Sequence, residues 1–244
     1  MRKELFLGVS SVVGVASRAT LTLAKGLVAC ALVVALQGCG NSNNSEPNVR
    51  IFHASPDAPN VDVLVDGGRV LENVPYTAAS DFLGIDTGDR RIQVNVTGTD
   101  TSVIDAHATF AENTDYMIVA AGKAAQIAPI IVTADRTTPE RDSARVRVLH
   151  AAPSAPAVDV YVTAAGGAIA NVSPTLSSVP FKAISDYLSV KPGVYDVFVT
   201  VAGTKTVAIE VRGLAISDQL VATVAALDSV GGGAPFSLTV LDER

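Results

Sequence analysis

The 244 residues are 48% apolar and only 5% aromatic, with no tryptophan, which is enough apolar material for one or two packed domains. Val, Ala, Leu and Ile carry the apolar share, a composition that favours strands, because β-branched side chains fit a pleated, half-buried surface. The net charge of −6 and the lack of any basic run argue against a nucleic-acid surface and against anionic lipid headgroups as a ligand.

The chain begins with Arg2, Lys3, Arg18 and Lys25 around and ahead of an apolar core, Leu27 to Leu36. That core is too short to span a bilayer, which takes about twenty apolar residues, so residues 1–38 read as an export signal. Leu36, Gln37, Gly38 and Cys39 resemble the lipobox of bacterial lipoproteins: Leu, a variable residue, a small residue, then Cys. The resemblance implies cleavage after Gly38, a diacylglycerol thioether on Cys39 and an acylated new amino terminus. Several acyl chains on one residue make a durable membrane anchor. Gly40, rather than Asp, follows the Cys, which in the same resemblance favours the outer membrane where the organism has one. With Cys30 removed and Cys39 acylated, no thiol is left for a disulfide. Losing the first 38 residues also leaves 14 basic against 23 acidic residues, a net of −9.

Residues 39–48 are small and polar, the composition of a flexible tether. A first domain is expected over 49–134. Val61, Val63 and Val65 share one face of a strand while Asp62, Leu64 and Asp66 share the other, and Ile92, Val94 and Val96 alternate in the same way. Further strands are expected at Val49 to His53, Ser80 to Ile85, Ser102 to Thr109, Tyr116 to Ala121 and Ile127 to Thr133. About seven short strands in this length suit a β-sandwich. Residues 135–144 are charged, contain Pro139 and lack apolar periodicity, and they read as a linker.

The second domain, 145–244, repeats the first. VRIFHASPDAPNVDVLVD at Val49 to Asp66 returns as VRVLHAAPSAPAVDVYVT at Val146 to Thr163, and Ser80-Asp81-Phe82-Leu83 returns as Ser185-Asp186-Tyr187-Leu188. Extra residues in the second copy fall within 164–178. At Val74 to Leu83 and Val179 to Leu188 a short helix opening on Pro competes with an extended reading; the extended one is preferred because the second tract runs straight into Pro192-Gly193.

Both copies resemble the bacterial domain-of-unknown-function family 4397, whose blocks open Val-Arg-Val-x-His-Ala-Ser-Pro and continue Val-Asp-Val-x-Val. His53-Ala54-Ser55-Pro56 matches in full, and Ala152 replaces the Ser in the second copy. The resemblance implies an all-β chain of two tandem sandwiches, immunoglobulin-like or transthyretin-like, with no activity attached.

The recurring ionisable set is His53, Asp62 and Asp81, matched by His150, Asp159 and Asp186. A histidine with two carboxylates can orient an acid/base group or bind a metal, so a metal-binding protein or metal-dependent hydrolase is one reading. The other is that each imidazole bonds backbone where the first strand enters a Pro-rich turn, with the first Asp facing solvent or capping a loop. Asp57, Asp62 and Asp66 offer oxygen ligands for calcium, but Ser154 and Thr163 replace the outer pair in the second copy. Ala202-Gly203-Thr204-Lys205-Thr206 lacks the leading Gly of a phosphate loop and reads as a hairpin turn. No Gly-x-Ser-x-Gly or His-Glu-x-x-His is present. The preferred reading is therefore a non-catalytic, cofactor-free envelope protein, held by its N-terminal lipid, whose modules bind an envelope protein or glycan or act as spacers.

Overall fold

The computed structural model describes residues 46–244. The export signal, Gly38, Cys39 and nearly all of the tether lie outside the described residues. Residues 46–244 are all-β, and the one helical element among the described residues is a single 3-10 turn at Ala124–Gln126.

In the first module, β1 (Asn48–Ala54) lies between β4 (Leu83–Gly84) and β7 (Asp115–Ala121), and β8 (Ala128–Ala134) completes that sheet. The facing sheet runs β3 (Gly68–Val74), β2 (Val61–Val65), β5 (Gly88–Val96), β6 (Ser102–Phe110). The second module repeats this. One sheet orders β12 (Leu188–Val190), β9 (Ala144–His150), β15 (Val221–Leu227) and β16 (Ser237–Asp242). The other orders β11 (Leu176–Val179), β10 (Val158–Ala164), β13 (Gly193–Val201) and β14 (Val207–Ile216). In each module the first and seventh strands pair in parallel and every other pair is antiparallel. In neither module is the first strand bonded to the second.

Each module has eight strands, one more than the alternation suggests. The additional strand is β3, whose residues are mostly exposed and do not alternate. It forms because Asp66 and Gly67 take positive φ of 50° and 81°, the two-residue hairpin turn that folds the chain back on β2. The tracts after Val74 and Val179 are neither helical nor extended throughout. Each makes one turn, closed by the Ala78 amide on the Pro75 carbonyl and the Ala183 amide on the Pro180 carbonyl, with Thr77 and Lys182 at φ of 68° and 71°. Each then bridges to the first strand, at Phe52–Ala79 or Leu149–Ile184.

Three apolar layers hold the four sheets. Ile51, Val61, Val63, Ile92, Phe110 and Ile118 fill the first sandwich, and Val148, Val160, Val197, Val199 and Ile209 fill the second. The third layer lies between the modules. Phe52, Ala54, Met117, Val119 and Ala121, from the opposite face of β1 and β7, pack on Leu149, Ala151, Ala225, Leu227 and Leu241. The β1 and β9 sheets are thus covered on both faces, which is why Met117 to Ala121 and Val221 to Leu227 are buried without a break. The described residues form one compact unit, not two beads on a string. The segment between Ala134 and Ala144 is tied down as well: Asp135 pairs with Arg145, and the Gln219 side chain donates to the Pro139 carbonyl at 3.0 Å. That guanidinium holds the Asp135 carboxyl well below the usual carboxylate range.

Candidate functional site

The repeated histidines sit at the ends of the first strands, where the chain turns through Pro56 and Pro59, or Pro153 and Pro156. Both are fully buried. His53 Nδ1 accepts from the Ser55 amide at 3.3 Å, and Nε2 lies 3.2 Å from the Pro59 carbonyl. His150 does the same with the Ala152 amide at 3.3 Å and the Pro156 carbonyl at 3.0 Å. One nitrogen accepting and the other facing a carbonyl defines a neutral ring with its proton on Nε2. Tyr76 and Phe181 stand edge-on to the two rings, each at 6.1 Å. Both ring nitrogens are therefore used within the turn, and neither lone pair faces a ligand. The Ser55 hydroxyl is buried without a partner, so no Ser–His pair forms.

Burial lowers the pKa of both imidazoles. Unfolded histidine takes up a proton near pH 6.5, whereas the folded rings resist until a lower pH. The contribution to stability is therefore complete above pH 6.5. It falls with decreasing pH towards the folded pKa, by up to about 1.4 kcal/mol per pH unit for each histidine. Urea unfolding between pH 7.5 and 5 is expected to show this slope, and His53→Gln with His150→Gln is expected to flatten it. An equal slope in the double variant would refute the assignment.

Asp62 is not on a solvent face; it is 1% exposed. Its carboxylate accepts from the Asn73 amide at 2.8 Å, the Thr97 hydroxyl at 3.0 Å and the Gly98 amide at 3.4 Å. Asp159 repeats this with the Ser178 amide at 2.7 Å and the Gly203 amide at 2.8 Å. In each module the second strand's aspartate thus binds the end of the third strand and the hairpin after the fifth. The bond from Asn73, ahead of the others, holds the Asp62 carboxyl below its ordinary range. Asp81 and Asp186 are exposed and join neither histidine's hydrogen bonds. The calcium trio separates too: Asp57 accepts from the Ala124 amide, and Asp66 accepts from the Arg91 amide and the Arg90 guanidinium. Among the described residues no group of three His, Cys, Asp or Glu is placed to hold a metal ion. Gly203 gives its amide to Asp159, so the Gly-Thr-Lys-Thr stretch is a stapled hairpin.

Two constellations escape the repeat comparison because each exists once. At one edge of the intermodule layer, Arg147 and Glu243 form a 3.0 Å ion pair with side chains 5% and 0% exposed. Arg147 also donates to Thr223 Oγ1 at 2.7 Å and to the Thr133 carbonyl of the first module at 2.8 Å. The Tyr187 and Thr223 hydroxyls both donate to the Glu243 carboxylate. Burial, ahead of that carboxylate, pushes the Tyr187 hydroxyl up. The Arg147 guanidinium lies over the Tyr187 ring, 4.5 Å from its centroid.

The second constellation is built by the inserted residues. Asp196, 2% exposed, accepts from the Gly166 amide at 2.8 Å, the Gly213 amide at 2.9 Å and Arg212 at 2.7 Å. This anchors the loop so that Ile169 packs on Tyr161 and Phe198 on the outer face of the sheet. Between the loop and the β13–β14 hairpin lies an open cleft of about 490 Å³, lined by Tyr161, Asn171, Ser173, Pro174, Thr204 and Lys205. Lys205 Nζ stands 4.1 Å from the Tyr161 ring centroid and donates to the Val172 carbonyl at 2.6 Å.

Fold and geometry together define a tandem β-sandwich protein in which the repeated buried residues His53, His150, Asp62 and Asp159 are hydrogen-bonded within turns and loops. The family model described as a domain of unknown function, DUF4397, matches residues 47–161, which take in the first module, the linker, β9 and most of β10. A comparison with curated proteins finds no match. Among solved structures, the CBM26 module CBMbc of Eubacterium rectale Amy13K, crystallised with maltoheptaose, is 12% identical with a TM-score of 0.27, covering 81% of this chain and 97% of that one. A "putative cell adhesion protein" (BF2867) of Bacteroides fragilis is 9% identical with a TM-score of 0.22, covering 81% and 98%. At such scores neither likeness carries a functional argument.

Proposed function

We propose that the chain is a non-catalytic lipoprotein of the bacterial cell envelope, anchored through Cys39, that displays a rigid pair of sandwiches for binding an envelope partner. In this reading the anchor places it in the outer membrane where one exists. The observation that carries the binding role is the cleft beside the inserted loop. It brings the exposed Asn171, Ser173, Thr204 and Lys205 side chains together beside a loop whose extra residues occur in the second module. Specificity on a rigid scaffold commonly resides in such loops. The histidines and buried aspartates that recur in both modules are consumed by turns, which fits a scaffold rather than a reaction centre.

Palmitate labelling and fractionation of wild type and Cys39→Ala test the anchor: label and membrane association are expected in the first and absent in the second. Capture from envelope extract by wild type and by Asn171→Ala with Lys205→Ala tests the cleft. The double variant is expected to retain at least tenfold less of the captured component with unchanged circular dichroism. An unlabelled, freely secreted wild type overturns the anchor, and undiminished capture overturns the cleft.

A further inference from the structure

The two sandwiches share their strand order but not the packing of their interiors. In the first, Phe110 and Tyr116 meet edge to face at 5.0 Å and close one end of the core. Strand register identifies their counterparts. Gly88 pairs with Phe110 as Gly193 pairs with Ile216, and Val49 pairs with Tyr116 as Val146 pairs with Ala222. The second module therefore has Ile and Ala where the first has two aromatic rings. Bulk is restored elsewhere: Tyr195 and Leu214 stand where the first module has Arg90 and Ala108.

Beside Ile216, between the sheets of the second module, lies an apolar cavity of about 60 Å³, partly open to the surface. Its inner wall is buried Val148, Val160, Val197, Ile216 and Val224. Its outer side includes half-buried Leu188, Val190, Leu214 and Tyr195, the last fixed by its hydroxyl to the Lys191 carbonyl at 2.8 Å.

We propose that this cavity is a binding site for the end of a linear alkyl chain. The lining exposes no polar surface. Water needs two to four polar partners to settle in a cavity, and polar ligands would lose their hydration here without replacement. The volume is well below the roughly 150 Å³ of a cavity that admits benzene, so a ring is too large and a narrow chain fits. A partial opening lets such a chain carry a polar head that stays in solvent.

The test is titration of the full chain with n-alkan-1-ols from methanol to octanol, read by methyl NMR at Leu188, Leu214 and Ile216. Saturable shifts are expected, with affinity rising about fourfold per methylene until the cavity is full. Ile216→Phe with Ala222→Tyr restores the first module's aromatic pair. It is expected to weaken binding at least tenfold while the thermal midpoint holds or rises, since filling a void adds contacts. Ile216→Phe alone makes the same test should the double variant fail to fold. Absent or unsaturable shifts in the wild type, or undiminished binding in a folded filled variant, would overturn the assignment.

Discussion

Replacing Phe52 with Ala is expected to lower the free energy of unfolding by about 3–5 kcal/mol, the usual cost of deleting a buried aromatic ring. The unfolding transition is expected to stay single. Phe52 is fully buried, but not in its own sandwich; it lies in the layer where β1 and β7 meet β9 and β15. Large side chains there, Met117, Leu149 and Leu227, interdigitate with Ala54, Ala121, Ala151 and Ala225, so a void has little freedom to collapse. Each module unfolding alone would expose the apolar outer face of its partner, which couples them into one cooperative unit. Urea unfolding followed by fluorescence and by circular dichroism decides this. Coincident curves are expected for both proteins, while a second transition at unchanged midpoint would show that the modules fold independently.

Glu243→Ala is the second large effect, about 3–5 kcal/mol of destabilisation, because Arg147 would keep a buried charge with no counterion. The surroundings make this costly: Arg147 has a side chain only 5% exposed, and the hydroxyls of Thr223 and Tyr187 lose their acceptor with it. Arg147→Met with Glu243→Leu removes both charges and is expected to recover most of the loss, since apolar replacements of buried pairs are often neutral or stabilising. Chemical denaturation of the two variants measures the difference. A loss below about 1 kcal/mol for Glu243→Ala would place the pair among solvated surface bridges.

The strands of each sandwich are legible where one face meets a core and the other meets solvent. Val61, Val63, Ile92 and Val94 alternate with polar neighbours, and the duplication repeats the pattern. β3 is harder to read, because backbone pairing holds it, although Asp66-Gly67 signals its turn. Asp62 falls on the polar side of a strand, which leaves it facing solvent or capping a loop, and the structure has it capping. Bonds to Asn73, Thr97 and Gly98 bury it, since loops far along the chain fold over that end of the sheet. The histidines are legible as turn residues, but as metal ligands equally well. Only the positions of their two nitrogens separate the readings.

Sequence by itself determined two all-β modules of common plan, because the alternation period and the repeated turn residues are local properties of the chain. The tertiary structure decided that the modules share a core, that the buried polar residues serve loops, and where a cleft and a cavity lie in the second copy. The unbroken apolar runs Met117 to Ala121 and Val221 to Leu227 mark two-sided burial, yet a run of apolar residues records that a face leaves water and not which surface covers it. That choice rests on shape complementarity between Phe52, Met117, Leu149 and Leu227, which exists only once the chain has brought them together.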